Sequence, residues 1–115
     1  MANIFKLKTK ANVSNSTVDT VYTVPVGVSS AVVIGLVLAN KTTHVLTATV
    51  DLNSSTVDTE TNSAVTLLNN ISIPDKSTLE VFGGQKMIMQ TTDQIKVLSD
   101  TYNGLDVALS ILEIS

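Results

Sequence analysis

The chain has no cysteine, no arginine and no tryptophan, and only four of its 115 residues are phenylalanine or tyrosine. Without cysteine, the chain forms no disulfide and has neither a thiolate metal ligand nor a thiol nucleophile. Arginine forks and aromatic rings are the side chains that bind nucleic-acid phosphates and bases best. Their scarcity and the net charge of −3 predict that nucleic acid is not a partner. Any protein interface must then depend on shape and backbone pairing, because arginine and tryptophan anchors are missing.

Long apolar runs are also missing. The longest run without a polar side chain is Ala31–Ala39, at nine residues, whereas a membrane-spanning helix needs about 20. We therefore expect no membrane partner. The first six residues lack the apolar stretch of a signal peptide, which predicts synthesis in a cytoplasm without export by that route.

Branched aliphatic residues and threonine dominate what is present. Valine and threonine occur 16 times each, a composition typical of β-strands. No segment shows convincing helical periodicity, and short strand patterns alternate with turn residues. Residues 1–115 are therefore predicted to form one all-β domain, an antiparallel β-sandwich or jelly-roll-like fold of eight or nine strands. Ala31–Ala39 is predicted to be a central strand covered on both faces.

Turn residues predict how neighbouring strands pair. Gly83-Gly84 lies between two strand patterns and predicts a hairpin, as does Asn103-Gly104. Residues 29–52 are predicted to form an antiparallel pair, because a short polar link joins their two strands.

Three segments are candidate subunit contacts. In Ile4–Lys10, Phe5 and Leu7 are predicted to point inward, with lysines forming a cationic outer face that keeps an edge soluble or meets an acidic neighbour. The polar stretch Asn53–Ser63 is predicted to be an exposed loop. In Leu105–Ile114 both strand faces are apolar at the end, so the strand is central or covered by another chain. The candidate contact residues are Lys6, Lys8, Lys10, Asp58, Glu60, Leu112 and Ile114.

The sequence contains no recognisable catalytic or cofactor motif. His44 is the single histidine, and no serine lies in Gly-x-Ser-x-Gly. No glycine-rich phosphate loop is present. We therefore expect no enzyme activity, no cofactor and no metal site. Calcium binding near Asp51, Asp58 and Glu60 remains an alternative, since carboxylates and loop carbonyls are ligands that calcium accepts.

Several phrases together resemble a family of small virion structural proteins of tailed phages. They span about residues 20–114 and are Tyr22-Thr23-Val24-Pro25-Val26-Gly27, Gly35-Leu36-Val37-Leu38-Ala39-Asn40, Ile71-Ser72-Ile73-Pro74, Gly83-Gly84-Gln85-Lys86, Asp93-Gln94-Ile95-Lys96-Val97 and Ser110-Ile111-Leu112-Glu113-Ile114. The chain departs from the family at two turns. Asp75-Lys76 stands where a glycine often follows the proline, and Thr92 stands where a glycine often precedes the aspartate.

The resemblance implies a β-sandwich subunit that is made in the host cytoplasm, located in the virion and used in many copies. Its partners would be major capsid or tail proteins and copies of itself, and its most specific reading is a capsid decoration or cement subunit. A tail, neck or baseplate accessory protein is an alternative, as is a carbohydrate-binding module of a host-contact structure, for which Tyr22 and Tyr102 would have to supply an aromatic platform. A small hydrolase is a further rival and would need His44 beside an acid and a hydroxyl.

Overall fold

The computed structural model describes residues 3–57 and 59–115 of the chain. These residues form nine strands in two antiparallel sheets that pack as a sandwich, which confirms the predicted all-β fold. The strands are β1 (Asn3–Lys10), β2 (Asp19–Thr23), β3 (Ser30–Asn40), β4 (Leu46–Asn53), β5 (Val65–Ile73), β6 (Thr78–Glu80), β7 (Met87–Gln90), β8 (Gln94–Ser99) and β9 (Leu105–Ile114).

The strand order is that of a jelly roll. Sheet A has the order β1-β9-β3-β6, and β7 also pairs with β3. β6 and β7 therefore share one strand position in the sheet, and we call each such position a lane. Sheet B has the order β2-β8-β4-β5. Only β4 and β5 are consecutive neighbours in one sheet; every other connection between lanes crosses from one sheet to the other. This alternation is characteristic of two interleaved Greek keys.

The predicted hairpins are wrong, because none of these turns joins two strands that pair with each other. β3 lies in sheet A and β4 in sheet B, so residues 29–52 do not form a pair. Gly83-Gly84 does not join two paired strands, because β6 pairs with Val37–Ala39 and β7 with Ser30–Val33. Asn103-Gly104 leads from β8 in sheet B to β9 in sheet A. A turn dipeptide reports a local change of direction, and the sandwich uses these turns to change sheets.

The core lies between the sheets and is formed by alternate residues of each strand. In β9 the odd-numbered residues from Leu105 to Glu113 are buried, and in β4 the even-numbered residues from Leu46 to Val50 are buried. β3 is central, as predicted, but only one of its faces is covered. Its register shifts at a bulge between Val33 and Gly35, where Ile34 is the extra, exposed residue.

Two turns adopt a backbone conformation that glycine favours, although the residue in that conformation is not a glycine. Lys76 has φ of 55° and Thr92 has φ of 76°, in the left-handed region. At these two turns the sequence resemblance described above leads one to expect a glycine. Each is held by a backbone bond: Lys76 N–H donates to the Thr42 carbonyl at 3.2 Å, and Thr92 N–H to the Val24 carbonyl at 2.9 Å. Tertiary hydrogen bonds thus maintain the turn geometry with other side chains in place.

Candidate functional site

The lysines of β1 do not form the predicted outer face. Lys6 Nζ lies 2.9 Å from Glu113 Oε1, and Lys8 Nζ lies 6.0 Å above the ring centroid of the buried Tyr22. Phe5 and Leu7, predicted to point inward, are instead 74% and 65% exposed. The alternation of β1 was correct but its two faces were assigned the wrong way round. An edge lysine can point inward because its long stem packs while its ammonium group meets a buried acid.

The Glu113 side chain lies between β1 of sheet A and β2 of sheet B, where it contacts Lys6 and Tyr22. Its side chain is only 5% exposed; besides the ion pair with Lys6, its Oε2 accepts a hydrogen bond from Tyr22 Oη at 2.7 Å. The bond from Tyr22, then that from Lys6, holds the pKa of Glu113 below its usual value. Burial, followed by the neighbouring carboxylate, raises the pKa of Tyr22 well above its usual range. One carboxylate therefore ties together β1, β2 and β9.

We expect this carboxylate to make stability depend on pH. A lowered pKa in the folded state means that its contribution is complete above the unfolded value of 4.5 and is lost as pH falls through the folded value. Glu113→Gln should therefore flatten the decrease in unfolding free energy between about pH 5 and pH 3, measured by denaturant titration. Glu60→Gln, in the exposed loop, should keep the wild-type profile. Equal profiles for wild type and Glu113→Gln would contradict this role.

The outer face of sheet A carries a ridge of large apolar side chains. Cross-strand partners place Phe5 beside Leu112, Leu112 beside Val32 and Val32 beside Ile88, in one row across all four lanes. Ile88 is 68% exposed. We call this row the apolar ridge. The predicted contact residue Ile114 lies one row along the same face, opposite Asn3 and Ser30.

A shallow groove lies on the same face beyond the ridge. The row next to the ridge contains Leu7, Ser110 and Gly35, and the following rows bring together small residues. The groove has a volume of about 260 Å³ and is lined by Thr9, Lys10, Ala11, Val37, Ala39, Asp106, Val107 and Ala108. Ridge and groove together form the assembly face, our name for the outer surface of sheet A.

The outer face of sheet B has the opposite character. Its strand β4 presents Thr47, Thr49 and Asp51 outward, and the neighbouring β8 presents Lys96 opposite Asp51. Such a surface is compatible with water, whereas a contiguous apolar face on a soluble protein usually marks an interaction site. The outward residues of β4 are therefore polar, although Leu98 lies opposite Thr49, whereas the row from Phe5 to Ile88 on sheet A is apolar throughout.

The described part of the loop, residues 54–57 and 59–64, is mostly exposed, as predicted, but it is anchored. Ser54 Oγ donates to Asp93 Oδ1 at 2.7 Å, and Thr56 Oγ1 donates to Gln90 Oε1 at 2.7 Å. Asp93 is buried and also accepts from the Gln90 N–H at 2.9 Å. Glu60 is exposed in this loop, and Asp58 lies outside the described residues. Sequence reasoning missed Asp93, whose loop partner Ser54 lies 39 residues away in the chain.

The described residues that hydrolysis, carbohydrate binding or metal binding would use are not grouped into a site. His44 is exposed, and its carbonyl accepts hydrogen bonds from Asn40 and Thr42. Tyr22 is buried, so it cannot join Tyr102 in a surface aromatic platform. Across residues 3–57 and 59–115 no group of three or more His, Cys, Asp and Glu side chains is placed to hold a metal ion. The described part of the chain also has no helix with the length and apolar character needed to cross a bilayer.

Of the predicted contacts, Leu112 and Ile114 are on the assembly face, whereas Lys6 and Lys8 point into the sandwich. Lys10 lies where β1 ends and lines the groove. Sequence reasoning missed Phe5 and Ile88, the most exposed members of the ridge. The sequence did contain a signal for this surface: β3 and β9 are apolar on both faces. When two such strands are neighbours in a sheet, the outer face of that sheet is apolar.

No family model matches the chain, and no curated protein matches it either. Two solved structures share its fold. One comes from Bacillus endospore appendages described as disulfide-linked pili, with a TM-score of 0.55, 11% identity, and coverage of 98% of this chain and 89% of that one. The other comes from the T13 IBDV viral particle, with a TM-score of 0.59, 11% identity, and coverage of 97% of this chain and 31% of that one. The chain thus spans about a third of the viral protein, and at this identity the likeness is one of fold.

Proposed function

We propose that the chain is a structural subunit of a phage virion, assembled in many copies as a capsid decoration or cement protein. The observation that carries this proposal is the assembly face, where a row of apolar side chains crosses four lanes and its end members Phe5 and Ile88 are exposed. Contiguous exposed apolar surface usually marks a site where another protein binds. The resemblance to phage virion proteins and the folds shared with a pilus and a viral capsid support the same class of function.

Many copies make a modest contact sufficient. The chain lacks the arginine and tryptophan anchors that dominate tight interfaces, so each contact is expected to be weak by itself. Repetition on a symmetric particle converts weak contacts into stable attachment through high effective concentration. A tail, neck or baseplate location would use the same face, and the experiment below distinguishes these locations.

The direct test is to purify particles of the phage that encodes this chain and to quantify the chain by mass spectrometry against the major capsid protein. A decoration subunit is expected in many copies and should remain on heads separated from tails. Retention on tails only would assign the accessory role instead. Its presence in the lysate but not in particles would contradict the proposal.

Attachment should depend on the assembly face. Ile88→Lys places an ammonium group on the ridge and is expected to reduce the copies per particle at least about tenfold, since burying an unpaired charge costs more than 1.4 kcal/mol. Val45→Lys makes the same kind of change at a residue that is 60% exposed before β4, and should leave the copy number unchanged. Both variants should retain wild-type thermal unfolding. Equal copy numbers for the two variants would remove the assembly face from the proposal.

A further inference from the structure

The two halves of the assembly face are complementary to each other. The apolar ridge lies on one side of the row that contains Leu7, Ser110 and Gly35, and the groove around Ala108 lies on the other. Along β9 the ridge residue Leu112 and the groove residue Ala108 are equally distant from Ser110, two residues each way. A protrusion thus lies on one side of the central row and a depression on the other, with the depression reaching from Ala108 to Asp106.

We propose that the partner on this face is a second copy of the chain, which packs sheet A against sheet A about a two-fold axis over Ser110 and Gly35. Such an axis runs across the strands in the plane of contact and reverses the strand direction. It therefore places the apolar ridge of each copy in the groove of the other, which is the reciprocal contact that an isologous interface requires. The small residues Ser110 and Gly35 lie on the axis together with the exposed Leu7, and the Glu80 carboxylate lies beside Gly35, 3.5 Å from where a Cβ would stand. This inference rests on the proposed function in that the dimer is the unit expected to attach to the particle, so that a substitution on the face lowers attachment by breaking the dimer.

The ridge row and the row beside it, from Leu7 to Gly35, contain no charged residue. The acids at the groove end of the face are already bonded within the chain. Asp106 Oδ1 lies 3.1 Å from Lys41 Nζ, and Glu80 Oε1 accepts from the Phe82 N–H at 3.1 Å. Lys10 also lines the groove and Glu80 is exposed, so charge lies at the groove end of the face and not on the ridge. Depletion of charge together with apolar character is typical of homodimer interfaces.

The area is large enough for a specific dimer. A ten-residue strand such as β9 is about 33 Å long, and four lanes are about 19 Å wide, which gives roughly 600 Å² of flat surface per copy. Two copies would bury about 1,200 Å², which reaches the range of stable protein interfaces.

Two of the four sheet edges, those of β1 and β5, are poorly suited to strand pairing between copies. At the β1 edge, Lys6 and Lys8 point inward, a device that opposes strand addition. At the β5 edge, the register with β4 shifts twice and Asn70 has φ of 50°, so the edge is irregular. Face-to-face packing remains open where edge-to-edge pairing is obstructed.

The first test is the mass of the purified protein in solution, measured by analytical ultracentrifugation and native mass spectrometry. Wild type is expected at twice the 12.2 kDa mass of one chain at micromolar concentration. Phe5→Lys should weaken the dimer roughly a hundredfold, because the change enters the symmetric interface twice. Val45→Lys should remain dimeric. Phe5 is on an edge strand and exposed, so the variant should fold, with its circular dichroism spectrum as the check. A monomeric wild type, or a dimer insensitive to Phe5→Lys, would overturn the inference.

The second test uses the absence of cysteine. Ser110→Cys places a single thiol near the proposed axis, and a short bismaleimide should join two copies in high yield. Thr49→Cys places a single thiol on the outer face of sheet B and should give little cross-linking. Equal yields from the two variants, including none from either, would overturn the proposed axis.

The two proposals fail separately. A monomeric wild type that is nevertheless found on particles overturns the dimer and leaves the virion role standing. A dimer with the expected cross-link that is absent from particles overturns the virion role and leaves the dimer standing.

Discussion

Asn40→Asp is expected to lower the free energy of unfolding by about 3 kcal/mol or more at neutral pH, although only one NH₂ group is replaced by oxygen. Asn40 is buried at the end of β3, and its Nδ2 faces the carbonyls of His44, Ile73 and Pro74 at 2.8, 3.0 and 3.1 Å. Its Oδ1 accepts from the N–H and hydroxyl of Thr42 at 2.9 and 2.7 Å. The side chain thus links the crossing from sheet A to sheet B with the end of β5.

The substitution replaces a donor by an acceptor that faces carbonyl oxygens. A carboxylate in this position is buried and repelled, so the introduced group should have its pKa raised in the folded state. The destabilisation should therefore be smaller below about pH 4, where the introduced carboxyl group is protonated in both the folded and the unfolded state. It should grow as pH rises. Urea unfolding at several pH values measures both the size and the sign of this effect.

Asn15→Asp is the matched control, because it makes the same chemical change at an exposed position. It should alter the unfolding free energy by less than about 0.5 kcal/mol. A loss of similar size in both variants would show that added negative charge, and not the Asn40 hydrogen bonds, is responsible.

Two leucines of β9, three residues apart, should separate folding from assembly. Leu109 is fully buried between the sheets, and Leu109→Ala is expected to cost about 2–5 kcal/mol through lost burial and a residual cavity. Leu112 is half-buried on the assembly face, so Leu112→Ala should cost only about 1 kcal/mol or less in the monomer. Thermal and denaturant unfolding of the isolated protein measure both values.

The assembly measurements should give the opposite ranking. Leu112→Ala removes part of the ridge and should weaken self-association about tenfold, whereas Leu109→Ala, studied where it remains folded, should associate like wild type. If Leu109→Ala impaired association as much as Leu112→Ala, the outer face would have no special part in assembly. Deletion of Leu112–Ser115 is a poorer test, because it also removes the buried Glu113.

Sequence patterns were sufficient for the fold class and for β3 and β9. Alternation and β-branched residues identify a strand from neighbouring residues, so the two long strands were found within a few residues. Their apolar character on both faces was also evident. The sequence could not show that one of those faces is uncovered in the described chain, because that depends on the position of every other strand.

The errors arise where long-range contacts decide. Alternation divides β1 into two faces but does not show which one points inward. That depends on Glu113, which is 107 positions from Lys6 in the chain and offers the lysine a buried partner. Likewise, Asn40 looks like an ordinary polar residue at the end of a strand, and its role is set by carbonyls more than 30 residues away. The hairpin errors have the same origin, since a local turn does not specify a sheet.

A density map of intact particles that carry the protein would test the central claim most directly. We expect this jelly roll in many copies. The outer face of sheet A, including Phe5, Leu112 and Ile88, should be covered by protein. The threonine-rich face of sheet B should be directed to solvent or to looser contacts. A map in which the outer face of sheet A faces solvent while the particle holds the subunit by other surfaces would contradict it.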